Sequence, residues 1–275
     1  MIRKLKKLHQ IYKQERYKEN VKFLVDPKTG LSPVERERVL NFNKFTVGTA
    51  NFFGENFYFS HGPSFIHSVD EIFGDEIYKF TSDTEKPFII DCGANIGISI
   101  FYFKKLFPTA EIVAFEPDEH IFNLLKKNTA EFTNLTIHES AVWTEDTILE
   151  FFSEGALAGS IVTDFSSNNK VTKINAIDLK KHLNRTVDFL KIDIEGAENK
   201  LIFDIRTKLH FVKNLFLEYH GIIGDEQNLG EILNLLKEEG FQYYIRLAGE
   251  TINFPFCKEE PVGFNQQLNI ICYRK

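Results

Sequence analysis

One stretch constrains this chain more than any other: Phe88-Ile89-Ile90-Asp91-Cys92-Gly93-Ala94-Asn95-Ile96-Gly97. An apolar run of strand formers ends in an acid, and a glycine-containing turn follows at once. Ile98 to Phe107 then reads as a helix closed by Pro108. Strand, glycine turn and helix open a nucleotide-binding α/β unit. The spacing is Gly-x-Asn-x-Gly, not the Gly-x-Gly-x-x-Gly that cradles a pyrophosphate. A dinucleotide site needs free amides at the helix N-terminus. An acid at the strand end suits a positively charged ligand instead.

The next unit carries a matching acid. Glu111 to Phe115 reads as a strand and ends in Glu116-Pro117-Asp118. An acid at the second strand's end, about 20 residues past the glycine turn, is where a ribose diol is held. A nucleoside without pyrophosphate but with a cationic centre describes S-adenosylmethionine. Asp91 to Gly97 with Glu116 therefore resembles the class I S-adenosylmethionine-dependent methyltransferases. Gly93, Ala94, Asn95 and Gly97 are the turn's cofactor candidates, with Ser140 and Ala141 after a third strand, Leu135 to Glu139, as candidates for the adenine contact.

Further acids cluster at later strand ends. In Val187-Asp188-Phe189-Leu190-Lys191-Ile192-Asp193-Ile194-Glu195-Gly196-Ala197-Glu198, Asp193 and Glu195 fall where a strand meets the ligand crevice. One would orient the cofactor's methionine end and the other hold or deprotonate a hydroxyl, Asp193 being the stronger candidate; capping of the following helix is the structural alternative. Glu218 and His220 share one face at the end of Leu215 to Gly221, by strand alternation. A histidine titrating near neutrality is a natural proton acceptor, with Glu218 its expected orienting partner. No metal is predicted, because the acids are explained without one.

Together, Ile90 to Gly97, Ala114-Phe115-Glu116-Pro117, Leu190 to Glu198 and Leu217-Glu218-Tyr219-His220 resemble the FkbM family of methyltransferases over residues 84–273. The resemblance implies an α/β fold of the class I (Rossmann-like) type, a seven-stranded mostly parallel sheet with an antiparallel last strand. It implies S-adenosylmethionine as cofactor and methyl transfer to oxygen, on a small-molecule or glycan hydroxyl. Amino methyltransferases acting on DNA bases carry Asn/Asp-Pro-Pro-aromatic at the fourth strand's outlet, which here reads Asp193-Ile194-Glu195-Gly196. A non-catalytic nucleoside-binding or scaffolding protein is the alternative, and a nicotinamide oxidoreductase is disfavoured by the missing third glycine.

Residues 83–275 are the expected catalytic domain and 1–82 an N-terminal α+β extension outside the resemblance, where acceptor choice would reside. Residues 1–20 carry seven basic and two acidic side chains, a net +5, leaving −11 for the rest of a chain whose total is −6. Ile2, Leu5 and Leu8 recur at near-helical spacing, so this piece reads as a solvated helix or a weak membrane-surface or partner contact. Phe42, Phe45, Phe52, Phe53, Phe57, Phe59, Phe65, Phe73 and Phe80 load the rest of the extension, which is expected to need the α/β domain to complete its core. The overall acidity, with pI about 5.8, argues against nucleic-acid binding. Cys92, Cys257 and Cys272 lack Cys-x-x-Cys spacing, which predicts reduced thiols and a cytoplasmic setting without zinc. Ser153 to Ser160 and Ser166 to Asn169, between two extended segments, are expected to form an insertion that could border the cleft.

Overall fold

A computed structural model describes residues 23–43, 46–153, 159–160, 171–224, 226–249, 255–257 and 264–274. The basic stretch 1–20, Phe45 and residues 154–158 and 161–170, most of the expected insertion, lie outside the described residues. The chain divides into two units, Met1–Ile77 and Tyr78–Lys275.

The first unit combines α1 (Pro33–Leu40), a hairpin of β1 (Gly48–Phe52) and β2 (Glu55–Phe59), and α2 (Gly62–Val69). Ser32 caps α1 by accepting the Glu35 amide, and Pro33 occupies the first turn, where its missing N–H costs nothing. The phenylalanines pack on one another. Phe52 lies edge-on to Phe57, Phe65 and Phe73, with centroids 5.4, 5.6 and 5.2 Å away. Phe52, Phe59 and Phe65 are fully buried. The rings thus pack on one another within this unit, as large aromatic side chains can.

The second unit is built on a seven-stranded sheet. In chain order its strands are β3 (Phe88–Cys92), β4 (Glu111–Phe115), β5 (Leu135–His138), β10 (Val187–Ile192), β11 (Val212–Ile222), β12 (Gln242–Gly249) and β13 (Phe264–Tyr273). Across the sheet the order is β12-β13-β11-β10-β3-β4-β5. Pairings from β5 through β11 are parallel; β13 runs antiparallel between β11 and β12. This is the expected class I methyltransferase topology, last strand included. β3 and β10 are buried along their whole length, as central strands covered on both faces must be. That explains their mostly apolar runs, in which Asp91, Asp188 and Lys191 are each ion-paired.

Helices α3 (Ile98–Leu106), α4 (Glu119–Asn128), α5 (Glu198–Asp204) and α6 (Leu229–Glu238) belong to this unit. Asp118 caps α4 by accepting the Ile121 amide at 3.1 Å. A second sheet joins β6 (Ala141–Trp143), β7 (Thr147–Ser153), β8 (Gly159–Ser160) and β9 (Val171–Asp178) in the order β6-β9-β7-β8. β7 and β9 pair antiparallel, as the two extended segments in the sequence suggest. Among the described residues no helix is long and apolar enough to cross a membrane, and all three cysteines are free thiols.

Candidate active site

The parallel strands β3, β4, β10 and β11 all deliver acids at their carboxyl ends, where open α/β sheets bind ligands. The glycine turn after β3 closes by its own hydrogen bonds. Gly93 and Ala94 donate to Phe115 O, Asn95 to Glu116 Oε2, Ile96 to Asn95 Oδ1 and Gly97 to Ala94 O. Every amide from Gly93 to Gly97 is thereby committed, and the turn has none to offer a pyrophosphate.

The glycines serve closure more than ligand approach. Gly93 has φ +84°, and a Cβ there would sit 1.9 Å from the Asp193 carbonyl oxygen. At Gly97, φ +92°, a Cβ would meet Leu125 Cδ1 at 2.8 Å. The neighbour that excludes a side chain is protein in both cases.

Glu116 ties the first two outlets together. One carboxylate oxygen accepts the Asn95 amide at 2.9 Å and the other the Asp118 amide at 3.0 Å. Burial pushes its pKa up to about 7, against the pull of those two amides. Each oxygen keeps a lone pair for another donor. Asp91 is fully buried; its Oδ2 accepts from Ser99 Oγ at 2.5 Å, while Oδ1 has no hydrogen-bond partner. Without a hydrogen bond, Oδ1 has the Lys191 ammonium, 3.5 Å away, as its charge partner.

Lys191 is the residue that sequence reasoning quoted but gave no role. It is buried, donates to Gly93 O at 2.8 Å, and lies 3.5 Å from Asp91 Oδ1 and 3.2 Å from Asp193 Oδ2. Burial alone would drive its proton off. The carboxylates of Asp193 and Asp91 overcome this and hold the ammonium well above its usual range. The signal was a lysine inside an apolar strand between two acids, since a buried lysine is almost always paired.

At the outlets of β10 and β11, His220 is buried with one ring nitrogen spoken for. Its Nδ1 lies 2.8 Å from Glu198 Oε1, and its Nε2 lies 3.5 Å from Glu195 Oε2 and 3.6 Å from Glu218 Oε1. Glu198, not Glu218, therefore orients the ring. Glu198 is itself fixed: it accepts the Gly196 amide at 2.9 Å and the His220 amide at 2.9 Å. Its signal was its place at the end of the acid-rich run after β10; its partner stands 22 residues away, which spacing does not reveal. Burial opposes charging of His220, but Glu198, Glu195 and Glu218 raise its pKa to about 10. The first turn of α5 follows Ala197, which makes no side-chain cap.

The adenine candidates separate. Ser140 is buried with Oγ lacking a hydrogen-bond partner. Ala141 begins β6, pairs with Ala176 and packs with Ile174 in the second sheet's small core.

Comparison with known proteins identifies the family. The family described as Methyltransferase FkbM domain matches residues 91–243, a span holding Asp91, Glu116, Asp193, Glu195, Glu198, Glu218 and His220. The chain is 43% identical over 60 residues to "Methyltransferase sdnD" of Sordaria araneosa, covering 22% of this chain and 23% of that one. It is 25% identical over 205 residues to "Methyltransferase 1" of Beauveria bassiana, covering 64% of this chain and 80% of the relative. The match thus spans about a quarter of the first relative's length and most of the second's. Among solved structures, methyltransferase FkbM from Methylobacillus flagellatus KT aligns at 15% identity and TM-score 0.45, over 70% of this chain and 45% of that one. Because the matched span takes in more than half of the 275 residues, the chain belongs to the FkbM methyltransferase domain family.

Proposed function

We propose that the protein is an S-adenosylmethionine-dependent methyltransferase acting on oxygen, with a hydroxyl of a small molecule or glycan as acceptor. The observation that carries this reading is a glycine turn whose amides are all committed internally, beside the Glu116 carboxylate, each oxygen of which accepts one amide and keeps a lone pair. Such a site repels a pyrophosphate and favours a nucleoside with a cationic centre. Asp91 and Asp193 would hold the methionine end, Glu116 the ribose hydroxyls and Ser140 the adenine edge. When bound, S-adenosylmethionine supplies a methyl group on a positively charged sulfur, open to attack by a hydroxyl oxygen.

The acceptor's proton must leave as its oxygen attacks, so a base belongs beside it. His220 was the expected base, but with its pKa near 10 it already carries a proton at neutral pH. Proton acceptance falls instead to Asp193, Glu195 or Glu218, the carboxylates around the ring. Acceptor choice would rest in part with the N-terminal extension, which lies outside the matched span.

Calorimetric titration with S-adenosylmethionine, S-adenosylhomocysteine and NAD tests the cofactor. The first two should bind and NAD should not; NAD binding alone would overturn the reading. Incubation with hydroxylated sugars and natural products should then yield products heavier by one methylene. Cofactor binding without turnover on any acceptor would favour the non-catalytic alternative.

A further inference from the structure

We propose that Asp193, Glu195 and His220 are ligands of a divalent first-row cation of the manganese type, with Glu198 positioning the histidine. One ligand atom from each of the three lies within 4.8 Å of the other two. The separation of 3.5 Å between His220 Nε2 and Glu195 Oε2 is long for an N–H···O bond, which centres on about 2.9 Å. It is close to the spacing between two ligands that each stand about 2.1 Å from one ion, roughly 3.0 Å in octahedral and 3.4 Å in tetrahedral geometry. Glu218 Oε1, 3.6 Å from the same nitrogen, sits at a similar spacing.

The histidine supplies a second observation, independent of the acids. Its side chain is 1% exposed. Nδ1 is engaged by Glu198, whereas Nε2 makes no hydrogen bond to the described residues and faces the acids. With Nδ1 held by the Glu198 carboxylate, Nε2 is the ring atom that faces the cluster, and once its proton gives way to a cation it would be the ligand, the arrangement that metal-binding histidines use. Glu198 is well suited to this, since amides of Gly196 and His220 hold it still.

Charge points the same way. Glu195, Glu198 and Glu218 surround one imidazole, and the Lys191 ammonium is shared between Asp91 and Asp193. A cation at Nε2 would displace a proton and offset the remaining negative charge. One imidazole with carboxylates suits manganese, iron or zinc better than calcium or magnesium, whose ligands are oxygens. If the methyltransferase reading holds, a cation there would polarise the acceptor hydroxyl and lower its pKa, which removes the need for a strong base.

The test uses the full chain, stripped with a chelator and titrated with MnCl2 under electron paramagnetic resonance and calorimetry. One equivalent should bind. Glu195→Gln, on a part-exposed side chain, should weaken Mn2+ at least tenfold, and Glu198→Gln by roughly 10–100-fold through loss of ring orientation. Mg2+ should compete only in large excess. Absence of stoichiometric Mn2+ binding, or binding unchanged in Glu195→Gln, overturns the proposal. S-adenosylhomocysteine titrated into the same stripped protein separates the two readings: cofactor binding without Mn2+ sinks only the metal site, and Mn2+ binding without cofactor sinks only the cofactor assignment.

Discussion

Replacing Glu198 with glutamine removes one negative charge at nearly constant volume, and its consequence can be worked from the His220 pair. A rise of the histidine's pKa from 6.5 to about 10 corresponds to roughly 5 kcal/mol of preference for the imidazolium in the folded state. Three carboxylates share that preference, and Glu198 is the strongest of them. Because the folded pKa lies above the unfolded one, the stabilisation is complete below about pH 6.5 and disappears as pH rises through about 10. Glutamine retains one oxygen for the His220 donors but turns an NH2 toward the Gly196 amide or the ring. The expected loss is about 2–4 kcal/mol at pH 6, shrinking to about 1–2 kcal/mol above pH 10, where only hydrogen bonds differ. Urea unfolding followed by the fluorescence of Trp143, with chelator present, gives both numbers. Equal losses at pH 6 and above pH 10 would refute the claim that Glu198 acts through the charge on His220.

Two further outcomes follow from the buried acids. Glu116→Ala should weaken S-adenosylhomocysteine by about 1.5–3 kcal/mol in calorimetry; in the wild type, affinity should fall as pH drops below about 7, where the carboxylate takes up a proton and becomes a poorer acceptor. An unchanged affinity in the folded variant removes Glu116 from the site. Lys191→Met leaves the fully buried Asp91 without its ammonium and should cost about 3–5 kcal/mol in urea unfolding, whereas a cost under about 1 kcal/mol would show that the pair is not compensating a buried charge.

The parts of the site that were legible in the sequence are those set by local chain geometry. An apolar run ending in Asp91 and a turn with two glycines identify a strand outlet, because φ > 0 and strand burial leave marks on residue type. Glu218 and His220 share a face through strand periodicity alone. Contacts that depend on how distant outlets meet were not legible. His220 takes its partner from the start of α5, and Lys191 reaches across to the carbonyl of Gly93. Neither distance is encoded by spacing. Ala141 illustrates another limit: a small residue after β5 suits an adenine pocket or a second sheet equally, and only pairing with Ala176 decides. The phenylalanines of the first unit were readable as core, but not that they would serve one another.

The place of β13 in the sheet has a consequence for synthesis. β11 finds its second neighbour, and β12 its only one, in a strand that the ribosome makes last of the three. Until Phe264–Tyr273 has emerged, the β11 edge carries unpaired backbone groups beside the apolar side chains of Leu215, Phe216 and Leu217. An open apolar edge invites pairing with another chain. A substitution that slows insertion of β13 would therefore show first as poor recovery of soluble protein during expression, while molecules that complete the sheet unfold and bind as the wild type does.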